Sequence, residues 1–246
     1  MPDRHAAFPV TPALRARADP RPAEVPPAHA EAVERCWAAA QARAGGRLFD
    51  GTVFSVTELA PDRLLARAVP YRLAVAAYAE PALAAALDIR PLAVCGVLRM
   101  ADGILFGRRQ AGATYEAGLW QMPPAGSVDA GALRDGLLDV EGMIRAELRE
   151  EVGLAREEVT SCTPFCVVVH PGSRVHDLGF VMETPLPFAE VRSRAAAAAS
   201  AEYPELAAVP EAGLPAFLEA RAGQVVPTAR LFLEALGLLR GGGAAA

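Results

Sequence analysis

The sequence predicts an α/β (α+β) protein with one main domain behind a small N-terminal α+β extension. Three observations carry that expectation. Strand-like and helix-like runs alternate along most of the 246 residues, which is the pattern of a mixed class. A strand-like pair, 92–100 and 104–108, begins just after Pro91 and opens a new unit. The chain is also long enough to bury a real core, with 52% hydrophobic and 22% charged residues, as in ordinary globular proteins.

Taken in order, residues 1–27 are rich in proline, alanine and arginine and read as a loose arm. Residues 29–43 read as a helix with Val33, Trp37 and Ala40 on one face, closed by Gly45-Gly46. The runs 52–59 and 63–69 flank Pro61-Asp62 and predict a hairpin. Segments 71–78 and 81–87 look helical and complete an extension over 28–90. The main domain is expected over 91–240. After its strand pair come a loop at 110–118, the segment 119–126, and a polar stretch. A helix over 140–152 follows, stopped by Gly153 in the left-handed conformation. Residues 165–169 and 178–183 predict strands, and 189–200 and 214–240 predict helices. Residues 241–246 read as a flexible tail.

Composition narrows the function. A formal net charge of −5 argues against a nucleic-acid partner, while leaving room for a small anionic substrate. No run of about 18 apolar residues occurs, so no membrane span is expected. The start Met1-Pro-Asp-Arg-His lacks the basic and apolar regions of a secretory signal, which implies a cytoplasmic protein. The four cysteines include Cys95 and Cys166 in apolar surroundings, where they read as small buried hydrophobes. Cys162 and Cys166 lack a second metal-type pair, so zinc is not expected. All 24 basic residues are arginine, which suits a GC-rich bacterial genome and excludes lysine-dependent chemistry.

The informative segment runs from Met143 to Leu154. On a helix, Ile144, Leu148 and Val152 fall within about 80° of one another and form an apolar stripe. Glu147 and Glu151 border that stripe, and Glu150 lies further round. Glu147 and Glu151 are a like-charge i,i+4 pair, which costs roughly 0.2–0.5 kcal/mol. All three acids also sit in the last turns, where the helix dipole disfavours negative charge. A divalent cation would reverse both penalties, and oxygen-only ligands suit a hard ion such as Mg²⁺. From the helix alone, a solvated acidic helix end is the simpler reading.

What surrounds the helix changes that balance. Trp120-Gln-Met-Pro123-Pro-Ala-Gly126, followed by Glu147-Leu-Arg-Glu150-Glu151-Val-Gly153-Leu154, resembles the Nudix box and its lead-in strand. The second half of the family pattern, E-U-x-E-E-x-G-U with U a bulky aliphatic, matches at each fixed position. The spacing from Gly126 to Glu147 is six residues longer than in the pattern. Leu138 stands where the pattern has its first glutamate, and Ala146 where it has an arginine, with Arg145 beside it. A long, arginine-deficient box is similar to that of the Nudix subgroup hydrolysing UDP-glucose and UDP-galactose. That subgroup also has a tryptophan-bearing N-terminal helix and a Leu-Phe-(Asp/Asn)-Gly motif, here Leu48-Phe49-Asp50-Gly51.

The resemblance implies a Nudix fold, a mixed sheet sandwiched between helices. It implies a cofactor, Mg²⁺ or Mn²⁺, held by Glu147, Glu150, Glu151 and the carbonyl of Gly126. Glu150 would be a third ligand or the base that activates water, and Glu147 and Glu150 are the catalytic residues the resemblance implies. The implied partner is a small nucleoside-diphosphate substrate, a UDP-sugar or ADP-ribose. Arg109 is preferred over Arg99 and Arg108 as a phosphate contact, since guanidinium suits bidentate binding. Asp177 is a candidate extra acid for the metal site and, with Arg109, a candidate substrate contact. His170 and His176 read as loop histidines, and Trp120 as core packing. Two rivals remain open. One is a nucleotide-sugar sensor without catalysis. The other is an isomerase, which would need a cysteine such as Cys95 in the pocket.

Overall fold

The computed structural model describes residues 4–198, 200 and 202–239, so the tail expected over 241–246 lies outside the described residues. The chain begins with β1 (Ala6–Pro9), β2 (Arg15–Asp19) and α1 (Pro27–Arg43). Then come β3 (Thr52–Ala60), β4 (Arg63–Pro70), α2 (Tyr71–Ala79) and α3 (Pro81–Ala86). The central stretch holds β5 (Leu92–Met100), β6 (Gly103–Arg108), β7 (Trp120–Gln121), β8 (Ala125–Ser127), β9 (Leu133–Arg134) and β10 (Leu137–Leu138). It leads into α4 (Val140–Glu147), β11 (Ser161–Val169), β12 (His176–Glu183) and α5 (Phe188–Ala198). Last are β13 (Glu205–Val209), α6 (Leu214–Ala220) and α7 (Pro227–Ala235). No helix among the described residues is long and apolar enough to cross a membrane.

The fold is mixed α+β with two mixed sheets. The larger runs β1-β11-β12-β5-β6-β13, with β7 beside β6 and β8 beside β5. Its β12–β5 pair is parallel, which places Asp177 next to Ala93. The smaller runs β3-β4-β2-β10-β9, with β2 parallel to β4. One apolar cluster joins the sheets, with Phe54, Val56 and Leu64 of the smaller packed with Leu92, Val94 and Leu98 of the larger. Burying each such side chain contributes about 1.5–3 kcal/mol. A second cluster packs α6 and α7 over the larger sheet, and a third gathers α1, α2 and α3.

Two expectations change here. The described part of 1–27 is not a loose arm. Ala6–Pro9 pairs with Val169 to Cys166, and Arg15–Asp19 pairs with Arg63–Arg67. Its strands are short, and their partners lie far along the chain, so local composition concealed them. The box segment is also not one uniform helix. α4 ends at Glu147, and Leu148–Val152 widen into a π-type turn, a feature that often accompanies functional sites. On α1 the buried face is Val33, Cys36 and Ala40, while Trp37 is half-buried and meets Tyr71 edge-on at 6.3 Å.

The inserted box residues have a clear structural use. Arg134-Asp135-Gly136-Leu137 is a hairpin turn with φ of 48° and 79° at its two central residues, the signature of a tight two-residue loop. The hairpin β9–β10 then pairs with β2, so the insertion completes the smaller sheet. That sheet therefore draws strands from both sides of Pro91.

Gly153 ends the glutamate-bearing turn with φ of 73°. A methyl there would meet left-handed strain and also the backbone carbonyl of Arg194 on α5. Gly153→Ala should destabilise the protein by at least about 1–2 kcal/mol, read as a lower urea midpoint with an unchanged slope. An unchanged midpoint would refute this account of the turn.

Candidate active site

A cavity of about 470 Å³ lies at the ends of β5 and β8, under the loop after β6. Glu147 and Glu151 reach it from the box segment, Arg109 and Glu116 from the loop, Asp177 from β12, and Glu202 from the stretch before β13.

The two box glutamates are held against their electrostatic interest. Burial raises the Glu151 carboxyl well above the usual range, and the charge of Glu147 adds to the shift. The Ala125 backbone N–H, donating to Glu151 Oε2 at 3.0 Å, and Arg109 act the other way. Burial likewise pushes Glu147 up to about 7, helped by the charges of Glu150, Asp129 and Glu202. Gly126, opposite Val94 in the sheet, is what makes room. Any side chain at Gly126 would overlap the Glu147 carboxylate.

Glu150, expected as a ligand or base, is exposed and lies off the cavity wall. It is exposed on the π-type turn, while Glu147 and Glu151 line the cavity. Among the described residues, no three His, Cys, Asp or Glu side chains converge as a ready ligand set. Arg145, beside the position of the missing box arginine, is turned to Glu141 at 2.8 Å. The Ala125 N–H therefore does the orienting of Glu151.

Of the three candidate arginines, Arg109 lines the cavity. Arg99 pairs with Glu211, and Arg108 is exposed and bonds Gly118 O at 3.1 Å. The Arg109 side chain is 16% exposed and reaches Glu202 Oε1 at 3.3 Å. Its Nε is buried with no hydrogen-bond partner among the described residues, an unmet donor beside the acids.

Asp177 is buried, and its Oδ2 meets His170 Nε2 at 2.7 Å and accepts from Thr228 Oγ1 at 2.8 Å. Burial works to raise its carboxyl, but His170 and these hydrogen bonds hold it below the usual value. His170 is no simple loop histidine. It is 2% exposed, bonded also to the Tyr115 hydroxyl at 2.9 Å and near His5 at 3.2 Å. Burial opposes its protonation, yet Asp177 and Glu116 raise it overall. His176 is buried on β12 and lowered to about 4 by burial. Cys95 stands in the cavity wall, and burial, then the charges of Asp177 and Glu116, raise its thiol well above normal. That keeps it a neutral thiol, a poor nucleophile.

Sequence reasoning passed over Glu116 and Glu202. Glu116 sits at φ of 50°, and burial, then the charge of Asp177, push it up to about 7. The charge of Glu202 acts on both Glu147 and Glu151. No local pattern marks either residue, since each reaches the cavity from an irregular segment. The Leu48-Phe49-Asp50-Gly51 motif borders the same cavity. Leu48 lines it, Asp50 accepts from the Arg72 backbone N–H at 2.8 Å, and Phe49 is 85% exposed.

No family model and no curated protein matches the chain. Solved structures that it is similar to include DR0079 from Deinococcus radiodurans (14% identity over 61% of this chain and 84% of that one, TM-score 0.41). A Nudix hydrolase from M. smegmatis, RenU, has 17% identity over 60% and 84%, TM-score 0.40. A bifunctional NMN adenylyltransferase/ADP ribose pyrophosphatase from Francisella tularensis has 15% identity over 60% of this chain but 40% of its own length, TM-score 0.40. At these identities and TM-scores the likenesses carry no argument, and the chemistry of the cavity has to come from its own side chains.

Glu147 binds its proton more tightly folded than unfolded, since its folded value is about 7 against 4.5. It therefore favours folding below about pH 4.5, and that contribution is lost as pH rises through 7. With chelator present, Glu147→Gln should melt higher than wild type at pH 8, by about 2–4 °C for each kcal/mol relieved, and near parity at pH 4.5. A constant difference across this range would contradict the strained-pair description.

Proposed function

We propose that the chain is a Nudix-type hydrolase cleaving the pyrophosphate bond of a nucleoside-diphosphate compound, with Mg²⁺ or Mn²⁺ held by Glu147 and Glu151. The observation that carries this is that both carboxylates line one cavity, where burial first and neighbouring charges second drive each toward protonation. The donor set fits a hard divalent cation, with oxygen donors only and a glycine leaving room beside them. When bound, the cation would neutralise the pair and supply Lewis acidity toward the diphosphate and the attacking water. A pure sensor has no need of such a costly pair.

The protein's own groups do the rest. The Ala125 N–H fixes Glu151 in place of the missing box arginine. Arg109, with a free buried Nε, donates to a phosphate oxygen and stabilises charge that grows as the bond breaks. Glu202 is assigned the base role in preference to Glu150, because Glu202 lines the cavity, while Glu150, although its charge acts on Glu147, is exposed off the cavity wall. Its Oε2, loosely held by Gln110 at 3.5 Å, takes the proton from water. Asp177, tied to His170 and Thr228, supports the cavity floor and the substrate beside Ala93.

The particular substrate proposed is a UDP-sugar, giving UMP and a sugar 1-phosphate. Its support is the tryptophan-bearing helix and the Leu48–Gly51 motif, with Leu48 on the cavity wall. Incubation with Mg²⁺ and a panel of UDP-glucose, UDP-galactose, ADP-ribose and CoA should release UMP from the UDP-sugars. Glu151→Gln should lower kcat by about 10²–10³, as for loss of one group that organises transition-state charge. Glu202→Gln should lower it by about 10²–10⁴, and Glu150→Gln should change it little. AMP release from ADP-ribose alone would replace the substrate. No monophosphate from any member under either metal would overturn the activity.

A further inference from the structure

The N-terminal unit forms part of the cavity wall, and its turn between α1 and β3 is built rather than slack. Gly45 and Gly46, with φ of 61° and 75°, reverse the chain after α1. The Gln41 side chain then holds the returning strand twice, donating to Leu48 O at 2.7 Å and accepting from Leu48 N at 3.1 Å. Asp50 fastens the far end by accepting from Arg72 N and Nε at 2.8 and 2.5 Å. Gly51 O accepts from Tyr71 N at 2.8 Å. The result is that Arg43, Arg47 and Leu48 border the cavity that holds Glu147 and Glu151.

Charge in this unit is unevenly matched. Arg35 pairs with Glu80, and Arg72 with Glu34 and Asp50. Arg43 and Arg47 are exposed at the cavity edge, and neither has an ion-pair partner among the described residues. Inside, the wall carries five carboxylates, of Glu116, Glu147, Glu151, Asp177 and Glu202, and the guanidinium of Arg109 is already beside Glu202. An incoming phosphorylated molecule meets an acidic interior. Beyond Arg109, the positive charge on the cavity wall is that of Arg43 and Arg47, on the turn.

We propose that the turn from Arg43 to Leu48 is a substrate-binding wall, with Arg43 and Arg47 gripping the diphosphate on the side away from Glu147 and Glu151. This rests on the reading of the cavity as a diphosphate site. Guanidinium is suited to it, since its planar fork binds phosphate oxygens in pairs. The wall gives the N-terminal unit a task in holding substrate, separate from the bond-breaking groups.

The test uses full-length Arg43→Ala/Arg47→Ala and Gln41→Ala proteins, with UDP and inorganic pyrophosphate as probes in titration calorimetry and UDP-glucose in turnover. Both arginines are exposed, so the double variant should melt with wild type. Expected results are at least tenfold weaker UDP binding, a KM raised by a similar factor, kcat within about twofold, and a flatter salt dependence of binding. Gln41→Ala should weaken UDP binding in the same direction while keeping both charges. Unchanged UDP affinity in the double variant overturns the wall, and so does a wild type that binds neither probe. If wild type binds UDP through these arginines but releases no monophosphate, the wall stands and hydrolysis is what fails.

Discussion

Two carboxylates of like charge, four residues apart, are buried in one cavity, and much of the surrounding architecture serves to keep them there. Left to themselves they would turn to water, where repulsion is screened and each oxygen is solvated. Gly126 opens the space that one occupies, and the Ala125 N–H ties down the other. The π-type turn and Gly153 set the direction in which the segment leaves, packed against α5. Apolar Ile144, Leu148 and Val152 anchor the opposite side in the shared core. Strain of this kind persists where neighbouring packing over-determines it, and it is concentrated at sites that bind or react.

The smaller sheet matters to that site because it is stitched to the main one. β2 comes from before α1 and the β9–β10 hairpin from within the lengthened box, and both add to the β3–β4 hairpin. The common apolar cluster then packs residues of the two sheets together. The insertion between Gly126 and Glu147 is therefore an interlock, tying the segment ahead of α4 to β2. Arg174, at φ of 58° and bonded to Ala84 O and Asp88, ties the loop after His170 to α3 in the same way.

Much of this was legible in the residues. The β3–β4 and β5–β6 hairpins, α1 to α3, the left-handed Gly153 and the pairing of apolar stripe with acids all follow from local periodicity and turn chemistry. The Asp135-Gly136 turn carried a readable signal, since Asp-Gly favours tight hairpins, but its flanking strands have two residues each. β1 and β2 gave no signal of their own. The role of His170 was hidden because its partners, Tyr115, Asp177 and Thr228, come from three separate segments.

By itself the sequence determined which segment carries the acids, that Gly153 ends it, and that no lysine is on offer to any chemistry. Periodicity and capping are short-range, so they are written in neighbouring residues. Only the tertiary structure decided that Glu150 faces out, that Glu116 and Glu202 face in, and that an N-terminal turn closes the wall. Those outcomes depend on which distant backbones come together and how much water they exclude. Burial of that kind is a property of the assembled sheets and belongs to no single stretch of chain.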